Sequence, residues 1–159
     1  TDDVDEFAIK MLGEYEGKSF KNILGEDLGL KEEDNAKNEE DKDMLEAIKT
    51  ALGDKVSKVK VSTVLKSHPV CLVPDSGLSF EMEKYLNRVA PGDEKLKTGR
   101  IMELNAEHPA FAALKAAYDS DQDKAKKYAQ LLYSQALLIA DLPLEDPSAY
   151  TDLVCSLMQ

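Results

Sequence analysis

The chain has 159 residues, 43% of them hydrophobic, and 31 acidic against 20 basic side chains give it a formal charge of −11. This length fits one compact domain with at most a fragment of another, and the charge, with no Lys/Arg cluster interleaved with aromatics, argues against nucleic acid or an anionic membrane as partner. No apolar run approaches a membrane span and the start, TDDVDEFAIK, has neither the basic nor the apolar region of a signal peptide, so a soluble, cytoplasmic protein is expected.

The first predicted element is a helix over Asp3–Leu12, with Val4, Phe7, Ala8, Met11 and Leu12 in a stripe that can bury only against something else. Gly13 and Gly17 end it, and KSFKNIL suggests a short strand. GEDLGLKEEDNAKNEEDKD then holds too few apolar residues to pack and reads as a solvated, partly helical connector. Residues 1–30 are therefore expected to be the trailing edge of a domain that lies mostly upstream, residues 31–42 a charged linker, and residues 43–159 the main domain. From Asp43, Met44, Leu45, Ile48, Ala51 and Leu52 form a helical stripe closed by Gly53. In KVSKVKVSTVL, Val59, Val61, Thr63 and Leu65 alternate with Lys58, Lys60, Ser62 and Val64, the period of a half-buried strand. PVCLVP, bracketed by Pro69 and Pro74, and GRIMEL add two further strands. HPAFAALKAAY starts a helix with Pro109 in its first turn. Cys71 and Cys155 make no CxxC pair, which suits a reducing compartment, and both read as small apolar core residues.

Ser120 with Asp123 resembles a capping box and begins a helix expected from about Asp121 to Asp141, stopped by Leu142 and Pro143. Asp146 is a good N-cap and Pro147 fits the first helical position. Tyr150, Leu153, Val154, Leu157 and Met158 then form one stripe. Between Ala129 and Ala140 only Gln130, Ser134 and Gln135 are polar, so the long helix is apolar nearly all round. Two arrangements cover it. A second copy related by a twofold axis would make a dimeric four-helix bundle, with Tyr128, Leu131, Leu132, Gln135, Leu138, Leu142, Tyr150, Leu153, Val154 and Leu157 as interface candidates. Alternatively the helix is central in a monomer, under the sheet and the neighbouring helices. The predicted fold class is α+β, or mixed α/β: a small sheet flanked by helices, with a C-terminal helix pair.

His68 and His108, each followed by proline, have no Cys, Asp or Glu at a metal-ligand spacing and read as turn or cap residues. No GxSxG, Walker A, GxGxxG or HExxH run is present, so no active site, no metal and no cofactor is expected in the chain, and it is not expected to be an enzyme.

The runs DEFAIKML, EYEGK, LGDKVSKVKVS, LVPDSGLSFEMEKYL, RIMELNAEHP and LLYSQALLIADLPLEDPSAY resemble the C-terminal domain of heat-shock protein 90 chaperones, most closely the bacterial form, across nearly the whole chain. Ala106 stands where that family usually has proline. The ending, DLVCSLMQ, lacks the acidic tail of eukaryotic cytosolic members, so co-chaperones that grip that tail are not expected as partners. The resemblance implies a V-shaped homodimer with ATP and Mg bound in domains upstream. It assigns residues 1–30 to the middle domain and residues 43–159 to dimerisation and contact with partly folded clients. A stand-alone adaptor or regulatory homodimer without a client surface is the alternative.

GLSFEMEKYLNRV reads as a helix capped by Ser79, with Glu81 and Glu83 favourable near its positive end and Met82, Tyr85, Leu86 and Val89 on one side. Such a stripe can simply cover the domain's own sheet. The resemblance instead places Leu78, Met82, Tyr85 and Leu86 at client-contact positions, with Phe80 an apolar addition; Met suits variable partners because it repacks readily.

Overall fold

Helix α1, Asp5–Leu12, ends at Gly13, where φ of +67° is open to glycine without strain. Strands β1 (Glu14–Tyr15) and β2 (Lys18–Ser19) follow as an antiparallel hairpin that pairs Glu14 with Ser19 and Tyr15 with Lys18. Its two turn residues, Glu16 and Gly17, both have positive φ (50° and 74°), the backbone of a turn whose twist matches antiparallel strands. The computed structural model describes residues 5–20, 39, 41–62, 64–75, 78–89 and 96–158, and only the backbone of Glu6, Phe7 and Lys10. Val4, Thr63, the second half of the predicted KSFKNIL strand and most of the predicted 31–42 linker lie outside the described residues. Of the α1 stripe, Met11 and Leu12 are 90% and 56% exposed.

The linker's end is not solvated as the sequence suggests. Asp41 is buried and accepts a hydrogen bond from Lys115 Nζ at 2.6 Å, tying the start of helix α2 (Lys42–Leu52) to a residue 74 positions further on. Met44, Leu45, Ile48 and Leu52 of α2 are buried, as their spacing requires. Strand β3 spans Lys58–Val61 and stops short of the predicted Leu65. The Ser62 hydroxyl accepts the N–H groups of Val64 and Leu65, so a local turn replaces the ladder.

Strands β4 (Val70–Pro74) and β5 (Arg100–Leu104) complete a three-stranded sheet in the order β3–β5–β4. The central strand β5 runs parallel to β3, with Val59 opposite Met102, and antiparallel to β4, with Leu72 opposite Met102. Both prolines stand where no ladder donor is missed: Pro69 precedes β4 and Pro74 is its last residue. Val59, Val61, Val70, Leu72, Met102 and Leu104 belong to one core with α2 and the later helices. Asn105, 2% exposed, closes the sheet's end by donating to the carbonyls of Lys66 and His68 and accepting from Glu107 N.

Helix α3 is Phe80–Val89, α4 Pro109–Ser120, α5 Gln122–Ile139 and α6 Pro147–Ser156. His108 caps α4, its Nδ1 accepting from Ala110 N, as expected of a cap residue. The cap of α5 is Asp121, which accepts from Lys124 N, rather than Ser120, whose hydroxyl is spent on Ala116 O in the last turn of α4. Asp146 caps α6 by accepting from Ser148 N and Ala149 N, both at 2.9 Å. Helix α5 lies against β4, α2 and α4 and buries Ala125, Ala129, Leu132, Tyr133, Ala136 and Leu137. That face of the long helix is covered within the chain itself, by the sheet and the neighbouring helices. Among the described residues no helix is long and apolar enough to cross a membrane. The fold is mixed α+β, as predicted.

Candidate functional site

Two surfaces leave apolar side chains uncovered. The first is formed by α6 and the outer side of α5. None of the ten residues of α6 is buried: Tyr150, Leu153 and Val154 are half-buried, as is Leu157 just after the helix, and Met158 is 79% exposed. On α5, Leu131, Gln135 and Leu138 fall at helical spacing on a side away from the core; the first two are half-buried and Leu138 is 50% exposed. Ile139 is 46% exposed and Tyr128 half-buried. Leu132 and Leu142, also expected at an interface, are instead buried inside the protomer at 5% and 4% exposure. Leu132 shares the inward face with Ala129 and Ala136, and Leu142 joins the same core after Asp141, at φ 52°, turns the chain.

A cavity of about 230 Å³ separates α5 from α6, lined by Tyr133, Leu137, Leu144, Ala149, Tyr150 and Leu153 among others. At its edge Lys55 pairs with Glu145 at 3.0 Å and lies 5.7 Å from the Tyr133 ring centre. The hydrogen bond from Lys55 outweighs partial burial and holds the Glu145 carboxyl below its ordinary range, with Lys97 at 3.5 Å adding to the effect. Burial pushes the Tyr133 phenol up.

The second surface is α3. Its N-terminus is capped as predicted, Met82 N donating to Ser79 Oγ at 3.1 Å. Met82 itself is 2% exposed, so it is a packing residue and not an available contact. Leu78, Phe80, Tyr85 and Leu86 are half-buried and Val89 is 52% exposed. Glu83, which the sequence presents only as a favourable charge near the helix start, is 5% exposed. Its carboxylate accepts from Thr98 N at 2.7 Å and from Arg100 Nη2 at 2.9 Å. Asn87 adds a two-way bond with the Leu96 backbone, and Lys84 reaches Glu81 at 2.8 Å and Asp141 at 3.2 Å. A separation of 17 residues between Glu83 and Arg100 follows no helix or strand period, so no sequence pattern announces this pair.

The cysteines divide. Cys71 on β4 is half-buried beside Glu103, which accepts from Ser62 Oγ at 2.7 Å and pairs with Lys60 at 3.1 Å. Burial first, then the charge of Glu103, pushes the Cys71 thiol up to about 12. Cys155 is exposed on α6, contrary to the expectation of a core residue, because it lies on the side of that helix away from the stripe.

A mixed three-stranded sheet under a long helix, followed by a short helix with no buried residue, defines an α+β module. The chain belongs to the Hsp90 protein family, whose model matches residues 1–159. It is 49% identical over 162 residues to the chaperone protein HtpG of Clostridium acetobutylicum, a match covering 100% of this chain and 26% of that protein. It is 44% identical over 163 residues to the chaperone protein HtpG of Bacillus subtilis, covering 99% of this chain and again 26% of the relative. The chain thus spans about a quarter of the length of the curated relatives it matches, 26% in each case.

This membership overturns two expectations: that the chain is not an enzyme, and that it holds no cofactor while ATP and Mg belong elsewhere. They rested on missing motifs and on a resemblance that put ATP and Mg upstream, whereas the family match extends over every residue, 1–159. A site assembled from dispersed side chains leaves none of the contiguous signatures sought, so their absence does not exclude nucleotide. The cavity between α5 and α6 does not itself fit a triphosphate. Lys55 is committed to Glu145, and the Ser148 and Ala149 amides at the α6 N-terminus are taken by Asp146. No step of ATP chemistry is assigned to it.

Proposed function

We propose that residues 43–159 form the C-terminal homodimerisation and client-contact domain of an ATP-dependent Hsp90-type chaperone. Residues 1–30 are then the edge of a preceding middle domain, which would cover Met11 and Leu12, and residues 31–42 are a connector. One observation carries the dimer: α6 bears Tyr150, Leu153 and Val154, with Leu157 directly after it, yet buries none of its residues. A twofold copy of α6 and of the outer face of α5, including Leu131, Gln135 and Leu138, supplies the missing cover as a four-helix bundle. Sedimentation of the 159-residue chain at micromolar concentration should give twice 17.6 kDa. A monomer under these conditions refutes the dimer.

For client contact the support is the apolar set Leu78, Phe80, Tyr85 and Leu86, all half-buried, with exposed Val89 beside them. The burial of Met82 favours a second reading, a homodimeric adaptor without client surface. Suppression of aggregation of a partly unfolded protein separates the two. Replacing Leu78, Tyr85 and Leu86 together by serine should abolish suppression in the first reading and leave nothing to lose in the second.

A further inference from the structure

Helix α3 is fastened by a charge pair as well as by apolar burial. Of its ten residues only Met82 and Glu83 are buried. The Glu83 and Arg100 side chains are 7% and 11% exposed, so each charge depends on the other for compensation. Among the described residues, buried Arg100 Nε and the hydroxyl of Thr98 meet no protein hydrogen-bond partner, while both residues serve Glu83 through other atoms. A helix with two buried residues, one of them half of an ion pair, and otherwise half-buried or exposed side chains stands toward the low-stability end of its fold.

We propose that Glu83 is a positioning residue for the apolar surface of α3: bonded to Thr98 and Arg100 it holds α3 with Met82 turned inward, and release of this clamp adds Met82 to the surface offered to partly folded protein. The clause about partly folded protein rests on the client-contact reading above; the clamp does not. It also accounts for a methionine that the resemblance places among contact positions and the docked helix keeps at 2% exposure. Met82 is then a contact of the released state only. Asn87 and Lys84 limit the movement, since their bonds to Leu96 and Asp141 tether the rest of the helix.

Hydrogen exchange resolved by mass spectrometry, on the 159-residue chain and its Glu83→Gln variant, tests this. Exchange over 80–89 should accelerate by about tenfold or more while exchange over 122–139 stays unchanged, because local opening is lowered and global unfolding is not. Binding of reduced, carboxymethylated lactalbumin, a permanently unfolded probe, should tighten in parallel. Arg100→Lys keeps the charge but loses the planar fork; it should shift exchange in the same direction by less, and it serves as the test if Glu83→Gln does not fold. Unchanged exchange over 80–89, or equal acceleration over 80–89 and 122–139, overturns the clamp. Faster exchange over 80–89 with unchanged probe binding upholds the clamp and overturns the client-contact reading.

Discussion

Leu138 and Leu132 lie six residues apart on the same helix, and the fold gives them opposite roles. Leu138 keeps 50% of its surface exposed, whereas Leu132 keeps 5%. Fully burying a leucine contributes about 1.5–3 kcal/mol, so covering the remaining half of Leu138 contributes about 0.8–1.5 kcal/mol per copy. A twofold axis counts this twice, giving roughly 1.5–3 kcal/mol per dimer, or a dissociation constant about 10- to 150-fold higher when it is lost. Leu138→Glu adds the cost of an unpaired charge in the interface, so this range is a lower bound. Its effect on the fold of the protomer should stay below about 0.5 kcal/mol, as for other exposed substitutions. Leu132→Ala should do the reverse: a cavity cost of about 2–5 kcal/mol, read as a melting temperature lower by about 4–20 °C. Sedimentation velocity across a concentration series gives the first quantity. Urea unfolding below the wild-type dissociation constant gives the second without linkage to association. An unchanged dissociation constant for Leu138→Glu together with a loss of several kcal/mol in stability would refute the assignment of this face to a partner.

Removing the cap of α6 by Asp146→Ala should cost about 0.5–2 kcal/mol of helix stability and, because α6 has no buried residue of its own, appear mainly as weaker dimerisation in the same sedimentation series. The two thiols should separate under iodoacetamide near neutral pH: exposed Cys155 is modified, while Cys71, its thiol pushed up to about 12, is spared until the chain unfolds, as peptide mass spectrometry would show. The sign of the linked pH effect follows from that direction. Below pH 9, the ordinary thiol value, both folded and unfolded chains keep Cys71 protonated. Between 9 and about 12 only the unfolded chain releases the proton, so stability falls across this window, and a Cys71→Ala variant should lose less there.

The sequence by itself determined every element whose burial follows a single period. The stripe Met44, Leu45, Ile48 and Leu52 and the strands around Val59 and Met102 are where their spacing puts them, because a helix or strand of the core must turn one face inward. Local chemistry also read through: Ser79, His108 and Asp146 cap the helices they precede. Where two local signals competed, the sequence did not choose. Ser62 ended β3 four residues early, and Asp121 took the cap that Ser120 had suggested. Only the tertiary structure decided which side of an all-round apolar helix faces inward. Leu132 and Leu138 are alike in sequence, but Leu132 shares the buried face with Ala129 and Ala136 while Leu138 lies outside it. It alone also decided that Glu83 meets Arg100 and Thr98, that Met82 is hidden, and that Asp41 reaches Lys115. These pairs join different elements across separations that no helical or strand period encodes, and their energies depend on how far the packed protomer removes each group from water.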